Sequence, residues 1–114
     1  MVYVSPDRGR IKRKWSVDKE NGPLVMAAEL VLKKLIQHSW PCEYRADREG
    51  GICYARFRAV RGRQIGPDFS EALERACRIV GADHRVTIAC DGVDMWLDGD
   101  YYINRAGKLA KVPA

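Results

Sequence analysis

A chain of 114 residues, 46% hydrophobic and 31% charged, is long enough to bury one core and short for two domains. That balance excludes wholesale disorder, and no apolar run approaches the roughly 20 residues needed to span a bilayer. The net charge of +5 is unevenly placed, crowding the N-terminal segment and the centre of the chain. Such clustering fits a polyanion or an acidic protein surface, and equally a solvated arm and sheet face.

Residues 1–20 read as a basic arm carrying Arg8, Arg10, Lys12, Arg13 and Lys14, with a short strand at Val2–Val4. Residues 21–114 read as a single α+β domain. Asn21-Gly22-Pro23 opens a helix, with proline where its missing N–H costs nothing. Leu24, Ala27, Ala28, Val31, Leu32, Leu35 and Ile36 then follow helical spacing, and Trp40-Pro41 is expected to stop the helix.

Cys42–Ala46 and Ile52–Val60 alternate in polarity about a turn at Asp47–Gly51, which predicts a β-hairpin. With Cys42, Tyr44, Cys53, Ala55 and Phe57 under the helices, the other face carries Glu43, Arg45, Tyr54, Arg56 and Arg58, and so reads as basic with an aromatic among the charges. Arg61 to Pro67, including Arg63, is a loop. Asp68-Phe69-Ser70-Glu71 has the form of a capping box, and the second helix is expected to end near Val80 with Gly81 as its cap. Val86, Ile88 and Cys90 start a C-terminal β-meander in which Asp91-Gly92 is the strongest hairpin signal. The predicted fold is an α-β-β-α sandwich core with an antiparallel sheet, followed by that meander.

The stretch from about Leu24 to Gly81 resembles the phage "ABA sandwich" domain family. The resemblance lies in the leading helix AAELVLKKLIQHSW, the glycine turn feeding YARFRA, and the helix PDFSEALERACRIVG. HicB-like antitoxins carry a similar helix after a similar strand. About half the chain is covered, and the shared motifs are mostly core pattern. The resemblance implies a phage or mobile-element origin and an α-β-β-α core, and transfers no functional residues. A fainter similarity, of EYRA and DGVDMWLDGDYY to the zinc D,D-peptidases of phage lysins, lacks that family's late histidine and its central His-containing motif.

No P-loop, GxGxxG, HExxH or GxSxG is present. Cys42, Cys53, Cys77 and Cys90 include no CxxC pair, so buried free thiols are expected and no metal site; Cys42 and Cys53, on neighbouring strands, are the pair to watch for a bridge. Asp91, Asp94, Asp98 and Asp100 are expected in turns. Trp15 follows the basic run, and Trp96 is a candidate contact anchor beside Tyr101 or Tyr102.

The expected function is non-enzymatic, without cofactor or membrane attachment. The chain reads as a phage or prophage accessory protein in the host cytoplasm that binds a protein or nucleoprotein complex, for example to inhibit a host defence nuclease. Direct nucleic-acid contact and a homo-oligomer are both compatible with it. The binding residues would be Arg8, Arg10, Lys12, Arg13, Lys14, Arg45, Tyr54, Arg56, Arg58, Arg61 and Arg63. A minor tail or capsid component of a virion is the alternative, and a degenerate peptidase-like domain ranks below it.

Overall fold

The structure is a computed structural model that describes residues 2–4, 22–60 and 67–113. The basic residues at 8, 10, 12, 13 and 14, Trp15, and Arg61 and Arg63 lie outside the described residues. The elements follow the order β1 (Val2–Val4), α1 (Gly22–Gln37), β2 (Cys42–Glu49), β3 (Ile52–Ala59), α2 (Pro67–His84), β4 (Ile88–Asp91), β5 (Asp94–Leu97), β6 (Tyr101–Ile103) and β7 (Leu109–Lys111). The fold is α+β with antiparallel sheets.

The apolar stripe of α1 is buried as its spacing predicts, from Leu24 through Leu35, whereas Ile36 is exposed. The helix stops before Trp40-Pro41. Ser39 takes a left-handed φ of 66°, and the Trp40 N–H donates to the Leu35 carbonyl at 2.9 Å. The Ser39 N–H donates to Ile36, completing the double closure of a Schellman motif.

The same motif ends α2, later than the sequence suggests. Gly81 is not the cap but a buried helical residue; Arg85 takes the left-handed position at φ 57°, and the Val86 N–H donates to the Gly81 carbonyl. Glycine is needed at 81 for space, because a Cβ there would lie 2.7 Å from the Val86 carbonyl oxygen. At the other end α2 starts at Pro67. Asp68 therefore sits in the first turn, where its charge meets the positive helix end, rather than at the N-cap.

β2 runs three residues further than expected, and the hairpin closes tightly on Gly50 and Gly51. Their φ values of 60° and 81° are those a two-residue type I′ turn requires. The C-terminal strands divide between two sheets. β4 and β5 join the main sheet in the order β1-β2-β3-β5-β4, while β6 and β7, among the described residues, pair only with each other. Leu109 of β7 and Tyr101 of β6 pack onto the core.

Among the described residues, α1 and α2 lie on one face of the five-stranded sheet. Leu32, Leu35, Phe69, Leu73 and Cys77 meet Tyr44, Phe57 and Met95 in one core, with Ala46 and Ala55 giving the helices room to approach. Tyr44 and Phe57 stack with ring centres 5.4 Å apart, and Trp40 meets Phe69 at 5.6 Å. Within this apolar layer Glu29 is only 7% exposed, and its Oε1 accepts a hydrogen bond from the Tyr44 hydroxyl at 3.0 Å. The opposite face of the sheet is uncovered among the described residues.

Candidate functional site

Cross-strand partners in an antiparallel sheet project to the same side, so the register writes out the open face row by row. One row reads Arg45, Arg56, Asp94, Asp91 across β2, β3, β5 and β4. A second holds Asp47 opposite Tyr54, a third Glu43 opposite Arg58, and Glu49 opposes Ile52 at the hairpin tip. Alternation in β5 sends Met95 into the core and Trp96 to this face.

The predicted residues Arg45, Tyr54, Arg56 and Arg58 thus come together on one surface. That surface is not basic. Three arginines share it with five carboxylates, from Glu43, Asp47, Glu49, Asp91 and Asp94. Two carboxylates came with the longer β2, and two came when β4 and β5 joined the sheet.

Two arginines are already held. Arg56 donates to both carboxylate oxygens of Asp94, and Arg58 is paired with Glu43 directly opposite it. Arg45 faces Arg56 across β2 and β3, a like-charge pair that would repel. The Asp94 grip draws the Arg56 guanidinium toward β5, with its carbon 5.8 Å from the Tyr54 ring centre. Arg45 and Asp91, the two ends of the charged row, have no ion-pair partner among the described residues.

Beside this row lies a cleft of about 280 Å³ lined by Glu49, Ile52, Tyr54, Arg56, Asp94 and Trp96. Ile52 is 58% exposed at its rim. Trp96 therefore shares a cleft with Tyr54 and Ile52 and not with the tyrosines of β6. The strand alternation of Met95, Trp96 and Leu97 left its direction open, and pairing with β3 decided it.

The remaining sequence candidates disperse. Cys42 opposes Ala59 and Cys53 opposes Arg48, so these cysteines sit toward opposite ends of the hairpin and cannot bridge. All four cysteines are free thiols. Cys77 of α2 and Cys90 of β4 do meet, but burial pushes both thiols above their ordinary range, which keeps them protonated and poor nucleophiles. Asp91 and Asp94, both expected in turns, are strand residues that flank the turn at Gly92 and Val93. Among the described residues, no group of three or more His, Cys, Asp or Glu could hold a metal ion, and no helix is long and apolar enough to cross a membrane.

No family model matches the chain, and no curated protein or solved structure matches it.

Proposed function

We propose that the protein works by binding a protein partner through the open face of its sheet. The observation that carries this reading is the one-sided placement of α1 and α2. Among the described residues it leaves uncovered a surface that combines Tyr54, Trp96 and Ile52 with paired and unpaired charges. Aromatic residues and arginine around a cleft, ringed by polar groups, are the composition of interface anchors. Mixed charge favours a protein over a bare polyanion, because phosphates would have to displace Asp94 from Arg56 and Glu43 from Arg58.

In this reading the chain is a non-enzymatic accessory protein. The resemblance over residues 24–81 supports a phage or prophage setting, with a host or phage macromolecular complex, such as a defence nuclease, as the target. The test is site-specific photo-crosslinking in living cells, with the reactive group at position 54 or 96 and a control at Lys33 on the exposed side of α1. Adducts from 54 and 96 but not from 33 support the reading. Equal adducts from all three positions, or none from the face, overturn it.

A further inference from the structure

The charged row across the open face is antisymmetric. Its left half is Arg45 and Arg56, and its right half is Asp94 and Asp91. The inner pair satisfies itself, while the outer two charges stand about 14 Å apart, across three strand spacings, too far to meet within one chain. Such a surface is complementary to itself. When a second copy is turned by a two-fold axis lying in the interface and parallel to the strands, each Arg45 lies over an Asp91. The same rotation sets the Tyr54 side of one cleft over the Trp96 side of the other. A two-fold axis perpendicular to the strands would instead set arginine on arginine.

We infer that the occupant of the open face is a second copy of this chain, stacked sheet on sheet in an isologous dimer. The assignment rests on the reading of that face as a protein-binding surface and names its partner. Aligned face-to-face packing is an ordinary arrangement for two sheets, and a self-complementary patch is what a two-fold interface requires. With strands about 4.8 Å apart and about 3.3 Å per residue, the face spans roughly 19 Å across the four strands and roughly 13 Å along the four-residue β4 and β5, which the two-fold sets over β2 and β3. Stacking two such faces buries on the order of 500 Å² in total, below the size of a stable specific interface. The dimer is therefore a weak and transient one, and a tighter partner for the same face would displace it.

The experiment is sedimentation velocity of the full chain from low to high micromolar concentration, on wild type, Arg45→Asp, Asp91→Arg and the double variant. Both positions are exposed, so circular dichroism should report an unchanged fold. The wild type should dimerise, more weakly at high salt. Each single variant should lose at least about tenfold in dimer affinity, since one charge-reversed contact occurs twice per dimer. The double variant should recover, and so should an equimolar mixture of the two single variants, whose heterodimer restores both contacts. A wild type that stays monomeric, or single variants that dimerise as the wild type does, overturns the assignment. In that case photo-adducts from position 54 or 96 to a different protein would still support the face as a binding surface, and their absence would sink both.

Discussion

Arg56 on β3 holds Asp94 on β5 with two hydrogen bonds, Nε to Oδ1 at 2.8 Å and Nη2 to Oδ2 at 3.2 Å. This bidentate pair crosses a junction where the register pairs only Ala55 with Met95 and Arg56 with Asp94. It fastens the C-terminal hairpin to the central one at the middle of the open face. It also sets the charge that the face presents.

Releasing that arginine should change binding more than stability. The Arg56 side chain is 52% exposed and Asp94 28%, so solvent screening limits the pair to less than about 1 kcal/mol. Asp94→Ala should leave the thermal midpoint within a few degrees of wild type. It should raise the affinity for a short single-stranded oligonucleotide several-fold in a salt-titrated polarisation assay, and Arg56→Glu/Arg58→Glu should abolish the gain. Unchanged polyanion affinity in Asp94→Ala would mean that Arg56 is not masked.

Gly81→Ala should destabilise, against the usual direction for a helical glycine. Alanine ordinarily gains about 1 kcal/mol over glycine within a helix. Here the added methyl would sit 2.7 Å from the Val86 carbonyl oxygen, a backbone atom fixed by the end of α2. Overpacking of this kind costs about 1–3 kcal/mol, enough to override the gain in propensity. Urea unfolding reads the sign directly.

Tyr44→Phe keeps the ring against Phe57 and removes the hydroxyl that donates to Glu29. A buried carboxylate that loses a donor costs about 1–3 kcal/mol. The variant should unfold at lower urea with an unchanged slope of stability against denaturant. A neutral result would place the stabilisation of Glu29 elsewhere.

Alkaline pH should unfold the protein progressively. Burial pushes the Cys42 thiol from its ordinary 9.0 up to about 12. Between those values the unfolded chain has released a proton that the native state retains, so stability falls as pH rises through that window. Cys77, Cys90 and Tyr44 are displaced in the same direction, chiefly by burial. One such proton corresponds to about 1.4 kcal/mol per pH unit. Cys42→Ala should flatten the dependence by about that slope between the two values, measured as denaturant stability against pH.

Local pattern was enough to read both helices, because the spacing of Leu24, Ala28, Val31 and Leu35, and of Phe69, Leu73, Ala76 and Val80, is periodic within each segment. It was also enough to place Arg45, Tyr54, Arg56 and Arg58 on one face, since alternation along each strand, with the apolar sides of a hairpin turned to the core together, carries that information. The helix ends were harder. Ser39 and Arg85 take the left-handed cap positions at little intrinsic advantage, and Gly81 looks like a cap from sequence because its true constraint is the Val86 carbonyl packed against it.

What the sequence determined by itself, then, was the class of elements, their core-facing sides and the arginines of the hairpin. Each of these depends on residues a few positions apart. Packing between distant segments set β5 beside β3, and the acidic half of the charged row follows from that pairing. Asp94 reaches Arg56 across 38 positions of chain, Trp96 turns outward beside Tyr54, and Asp91 becomes the far end of a charged row. A strand's own alternation states which residues share a side. It does not state which strand comes next, because that choice belongs to hydrogen bonds and burial between segments far apart in the chain.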